Sequence, residues 1–213
     1  MMDRIYIYAL DTLADWELGY VTAELYSGRF FKKGARRIPI RYAGCSREPV
    51  TTMGGWTIVP DCTVDEIAVT EASMLLLPGA NTWSDPRHGA VVEKAEQLLA
   101  AGGTVCAICG ATVALAGAGL LNDRLHTSNG EGFLDMMCPG YKGQRHYVAA
   151  PSVADGNLIT ASGTGALLWA KQIIERLGVF RADTLEAWHA YFSTGEARHF
   201  FALMQSLPQR DAQ

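Results

Sequence analysis

The 213-residue sequence is short of several features that would have set its class at once. Charge is sparse and nearly balanced: 18 Lys and Arg stand against 22 Asp and Glu, a net −4. A nucleic-acid or anionic-membrane surface would need a basic excess, so neither partner is expected. The longest apolar run, "ATVALAGAGLL", is far below the ~20 residues that cross a bilayer. The opening "MMDRIYIYAL" lacks the basic, apolar, small-residue order of a secretory leader and runs into a β-like segment. Five scattered cysteines, an odd number, do not form a disulfide framework, and the expected home is the reducing cytoplasm. There is no second C-x-x-C or H-x-x-x-H pair for a structural zinc, and no G-x-x-x-x-G-K phosphate loop. No metal and no organic cofactor is expected. No internal repeat, linker or low-complexity stretch divides the chain, which reads as one domain, 1–213, with a helical extension over about 180–207.

What is present alternates. "RIYIYAL" (4–10), "IPIRYAG" (38–44), "SMLLLPG" (73–79) and "GTVCAIC" (103–109) are β-rich or fully apolar runs, the last two suited to strands buried on both faces. Between them lie helical patterns: "WELGYVTAELYSGRFF" after a Thr12/Asp15 capping pair, and "PRHGAVVEKAEQLLAAG", which opens at Pro86 and closes at Gly102. "TTMGGWTIVPD" bends at Gly54-Gly55 as an edge hairpin, and "VAAPSVADGNLITASG" reads as strand, Asp-Gly turn, strand. Helices follow in "TGALLWAKQIIERLG" and "TLEAWHAYFSTGEARHFFALMQSL". The pattern predicts an α/β fold: a doubly wound, mostly parallel, flavodoxin-like sheet with helices on both faces. Ligand sites in such sheets lie beyond the carboxyl ends of the strands.

The segment "GGTVCAICGATVALAGAGLL" carries the chemistry. Cys106 and Cys109 are C-x-x-C, but residues i and i+3 of a strand stand ~10 Å apart. A disulfide needs Cα atoms within roughly 7 Å, so the pair is not expected to be redox-active. Cys106, Cys45, Cys62 and Cys138 read as small core residues. Cys109 closes a buried strand and is followed by Gly110-Ala111 and a helix. A sharp strand-to-helix turn would lift its side chain above the sheet, the geometry of a nucleophile elbow with cysteine for serine. The helix N-terminus beside it would favour thiolate. Residue types alone leave this reading level with that of one more core cysteine.

"LLLPGA" (75–80), "VCAICGATVALAGAGLLNDRLHTSN" (105–129) and "GNLITASGTGALLWAKQIIE" (156–175) together resemble the ThiJ/PfpI superfamily. That group is related to the class I glutamine amidotransferase fold and includes the Parkinson-associated deglycase proteins. "DTLADWELGYVTAEL" and "TTMGGWTI" look like a bacterial branch loosely described as amidotransferase-like or protease-related. The resemblance implies a glutamate early in the first helix near the elbow cysteine, here Glu17, and a histidine brought to it, here His126. A buried Glu17 carboxyl would hydrogen-bond the sulfur and lower the thiol pKa. Glu24 suits a solvated helix position instead. His126 would take or shuttle a proton, with Asn129 weakly placed to orient it. By family position and by physics, the Gly79 and Gly110 amides would form an oxyanion pocket, and Trp83 either walls it or sits in an exposed loop. Gly110 occupies the slot where peptidase-type relatives place histidine.

The C-terminal helices carry His189 and His199 but lack the H-x-E pair of triad amidotransferases, which argues against glutamine hydrolysis. His88 opens a surface helix, and His146 sits among polar neighbours. Trp188, Phe192, Phe200, Phe201 and Met204 form an apolar stripe that covers the sheet or pairs two copies in a homodimer.

Three functions remain open at this level. One is a cysteine enzyme attacking a small electrophilic carbonyl, amide or glycated substrate, free or on a modified protein. The second is a redox-sensing or chaperone-like stress protein using the same oxidisable cysteine. The third is a binding module without chemistry.

Overall fold

The computed structural model describes residues 4–208. Strand β1 (Arg4–Tyr8) leads into helix α1 (Asp15–Ser27), and β2 (Ile40–Gly44) follows. Three two-residue strands come next: β3 (Val50–Thr51), β4 (Thr57–Ile58) and β5 (Cys62–Thr63). Then come β6 (Ser73–Leu77), α2 (Gly89–Ala100), β7 (Thr104–Ile108), α3 (Ala111–Gly117) and α4 (Phe133–Met137). The chain closes with β8 (Ser152–Asp155), β9 (Leu158–Ala161), α5 (Ala166–Leu177), α6 (Ala182–Thr194) and α7 (Ala197–Ser206).

Seven strands form one sheet in the order β5-β2-β1-β6-β7-β9-β8, parallel throughout except for the β8–β9 pair. β3 and β4 form a separate antiparallel ribbon, so the Gly54-Gly55 hairpin is docked on the sheet's end rather than continuing its edge. Every residue of β6 and β7 is buried, as uninterrupted apolar runs under two helical layers require.

The start of α1 departs from the sequence expectation. Ala14, not Thr12, precedes the helix, and no side chain caps it. Thr12 has φ 63°, and its hydroxyl accepts from the Asn81 N–H at 2.9 Å. Asp15 turns outward to accept from Gly54 N–H at 2.6 Å, which ties the hairpin to the helix. The Ala14 N–H donates to the Gly79 carbonyl at 2.9 Å, so the first turn of α1 is fastened to the end of β6.

Glu24 also differs from expectation. Seven residues after Glu17, it shares the inward face of α1 and is 1% exposed. Its carboxylate is paired with Arg29 Nη2 at 2.5 Å and accepts the Trp188 indole N–H at 2.9 Å. The charge is buried because two donors meet it there. Trp188 is fully buried and anchors α6 over α1, while Phe200, Phe201 and Met204 of α7 face outward.

Candidate active site

Three chain ends meet at the carboxyl edge of the sheet's central strands. The first is the elbow. β7 ends at Ile108, and Cys109 adopts φ 57°, a left-handed conformation that costs a non-glycine residue of order 1 kcal/mol or more. The turn is held on both sides. Cys109 N–H donates to the Ala161 carbonyl at 2.9 Å, and its own carbonyl accepts from Thr112 N–H at 3.1 Å and from the Thr112 hydroxyl at 2.6 Å. The short α3 starts directly after it, and the side chain is lifted off the sheet, half-buried, as the strand–Cys–Gly–helix pattern predicts.

The second is the first turn of α1. Glu17 is 0% exposed, and Oε2 accepts the Gly79 N–H at 2.5 Å. Oε1 is buried with no hydrogen-bond partner, and the Glu17 carboxyl and the Cys109 thiol influence each other's proton. Burial pushes Glu17 up to about 7, against the opposing pull of the Gly79 amide and the thiol. Gly79 itself has no room for a side chain: a Cβ there would stand 2.8 Å from Cys109 Cβ and 2.8 Å and 3.0 Å from the Glu17 oxygens. That glycine lets carboxyl and thiol close over the strand end.

The third is the segment from α3 to β9. Asn129 donates from Nδ2 to Cys109 Sγ at 3.3 Å and accepts the Gly163 N–H on Oδ1 at 2.8 Å. Trp16 reaches the Gly163 carbonyl through its indole N–H at 3.4 Å and stands half-exposed at the mouth.

His126 is not at the thiol. It is fully buried, with Nδ1–H donating to the Arg124 carbonyl at 2.7 Å and Nε2 accepting from the Tyr141 hydroxyl at 2.5 Å. Both ring nitrogens are used and burial holds the ring neutral, so the polar loop around it had concealed a core residue. Asn129, three residues on, takes the place expected for the histidine. The Gly79 amide is likewise committed to Glu17 and has no hydrogen left for an oxyanion. The Gly110 N–H has no acceptor among the described residues and lies near enough to the sulfur to lower its pKa. The Ala80 N–H, which no sequence pattern marks, has no acceptor among the described residues, and its nitrogen lies 3.7 Å from where a Gly110 Cβ would stand. Trp83 is a wall rather than an exposed loop residue: its indole donates to the Pro78 carbonyl at 2.9 Å and packs against Gly110.

The electrostatics also depart from expectation. Burial raises the Cys109 thiol above its ordinary value, an ionised Glu17 raises it further, and the Asn129 and Gly110 donors pull it down. The protons of Cys109 and Glu17 are therefore coupled, each group shifting the other's pKa. Among the described residues no three His, Cys, Asp or Glu side chains gather as a metal would require, and no helix is long and apolar enough to cross a membrane.

A mostly parallel sheet with a cysteine elbow over its central strands defines the class, and comparison with known proteins names it. The family model described as DJ-1/PfpI matches residues 3–176, and the chain belongs to that family. It is 42% identical over 204 residues to the uncharacterized protease YoaZ of Bacillus subtilis, covering 96% of this chain and 97% of that one. A deglycase of Pyrococcus abyssi is 27% identical over 176 residues, 82% of this chain and 99% of the relative. A ThiJ/PfpI family protein from Bacillus anthracis, solved as a crystal structure, superposes with a TM-score of 0.95 at 42% identity, over 97% of this chain and 98% of the other.

Proposed function

We propose that the protein is a cysteine-dependent enzyme acting on a small electrophilic carbonyl, amide or glycated group, with Cys109 as nucleophile and Glu17 as its proton partner. One observation carries this: a strained, half-buried thiol shares its surroundings with a fully buried carboxyl whose pKa is about 7. A carboxyl that titrates there serves equally as base and as acid near neutrality.

The first step on an aldehyde balances as follows. Cys109 Sγ bonds to the carbonyl carbon and loses its proton to the Glu17 carboxylate. The carbonyl π pair moves to oxygen, where the Gly110 and Ala80 amides donate to the developing charge. Glu17 then returns a proton to that oxygen, leaving a hemithioacetal. Asn129 holds the sulfur in line during attack. The names protease and deglycase borne by relatives fit a thiol working on an acyl or glycated carbon. We also place the exposed Phe200, Phe201 and Met204 face of α7 against a second copy in a homodimer.

Incubation with a small α-oxo aldehyde, followed by intact-mass analysis and product assay, tests the proposal. Turnover is expected in the natural protein and none in Cys109→Ser; Asn129→Ala is expected to slow it. Equal turnover in Cys109→Ser would refute the assignment.

A further inference from the structure

Cys45 follows β2 and is solvent-exposed, and His88, expected at the surface, is 97% buried. The fully buried Tyr8 at the end of β1 links them. The Tyr8 hydroxyl lies 2.8 Å from Cys45 Sγ and 2.6 Å from His88 Nδ1, and sulfur and imidazole are 3.8 Å apart. Thiol, phenol and imidazole thus form a continuous hydrogen-bonded chain from solvent into the core. We propose that Cys45 is a second reactive thiol, oxidised to a sulfenic acid by small peroxides, with Tyr8 and His88 as the positioning residues that carry its proton away.

Three features of the cluster support this. First, the proton has somewhere to go. Burial lowers His88 from its ordinary value, so the ring is neutral at pH 7 and keeps a lone pair to accept a proton. Nε2 makes no hydrogen bond within the protein, and with the ring's proton on that side Nδ1 is the acceptor that faces Tyr8. Second, the phenol stays a carrier. Burial and the adjacent sulfur raise Tyr8 far above the ordinary phenol range, so it relays a proton without becoming a stable anion. Third, the opening is small: Cys45 and His88 line a recess of about 100 Å³ together with Asp11, Ser46, Glu48 and Arg87. That volume suits hydrogen peroxide rather than a bulky disulfide. Cys62, the next cysteine along the chain, is buried on β5 and donates to the Tyr42 carbonyl, so it is not free to resolve the product. The sulfenic acid therefore waits for an external thiol.

The step balances. As Cys45 releases its proton to the Tyr8 oxygen, the Tyr8 hydroxyl proton passes to His88 Nδ1. The thiolate attacks one peroxide oxygen, the S–O bond forms and the O–O bond breaks. Sulfur is oxidised to sulfenic acid and the peroxide is reduced, its leaving oxygen recovering the proton from His88 through Tyr8 to depart as water. The ring of Trp83 packs on Tyr8 and on His88, with centroids 5.6 Å apart in both cases, and its Cδ1 edge meets Gly110 of the Cys109 elbow. The two thiols therefore share one aromatic wall.

The test uses the full chain carrying Cys109→Ser, so its outcome does not depend on the proposed activity. Hydrogen peroxide is added at pH 7 with dimedone as trap, and the Cys45 and Cys138 peptides are followed by mass spectrometry. An unassisted thiol is about 3% ionised at pH 7, so full ionisation gains at most about thirtyfold. Cys45 is expected to label about tenfold faster with the relay intact than in Tyr8→Phe or His88→Gln. The pH profile of its alkylation should move upward in both variants, a shift that loss of packing alone would not produce. His88 also feels Arg87, Asp85 and Asp11, so the profile is compared at fixed ionic strength. Tyr8→Phe removes a single oxygen and carries the test if His88→Gln fails to fold. Equal labelling and unmoved profiles would overturn the proposal.

Discussion

Replacing Glu17 by Gln gives a prediction whose size follows from the structure. The carboxyl is fully buried, and its pKa stands at about 7 against an ordinary 4.5. A carboxyl with a raised folded value favours folding most where it is protonated in both states, below pH 4.5. That contribution is lost as pH rises through 4.5 towards the folded value near 7. Relative to an unionisable side chain, the shift of roughly 2.5 pH units corresponds to about 3 kcal/mol, of which about 2.5 falls between pH 5 and pH 8. Gln has the same shape and its carbonyl can keep the Gly79 N–H bond. Urea denaturation of both proteins at several pH values isolates the effect, because every other titrating group cancels in the difference. Glu17→Gln is expected to gain about 2.5 kcal/mol on the natural protein between pH 5 and pH 8, while losing turnover at Cys109. Parallel stability curves would mean that the buried carboxyl is not strained by ionisation. The proton-sharing pair would then fall with it.

Two further substitutions test the site's construction. Gly79→Ala places a Cβ within 3.0 Å of Cys109 and of both Glu17 oxygens, so it should cost about 1–3 kcal/mol in chemical denaturation and abolish turnover. An active, fully stable variant would refute the packing argument. His126→Gln leaves the Tyr141 hydroxyl or the Arg124 carbonyl without its buried partner. A loss of about 1–3 kcal/mol is expected, with the alkylation rate of Cys109 unchanged. A slower thiol at unchanged stability would return His126 to the reaction.

The parallel sheet was legible because its central strands are buried end to end: five consecutive buried residues in β6 and in β7 leave no exposed face to interpret. The elbow was legible for a similar reason, since a cysteine at a strand end before Gly110 and Ala111 has few backbone options, and the observed φ of 57° is among them. What could not be read was which polar residues turn inward. Glu24 looked solvated because its two donors lie at Arg29 and Trp188, one of them 164 positions away. His126 and Asn129 share a loop three residues apart, and only the fold decides that the histidine is buried on Tyr141 while the amide reaches the sulfur. His88 seemed to open a surface helix because Pro86 marks a helix start without saying which face it presents. The thiol's surroundings have the same origin: a helix start beside a cysteine suggests thiolate, but the buried Glu17 that shares its site comes from α1. Polar and charged side chains are placed by partners far away in sequence, and local patterns carry no record of those partners. Apolar periodicity is local and foretells the layers; the chemistry above the sheet is assembled from segments that meet only once the chain has folded.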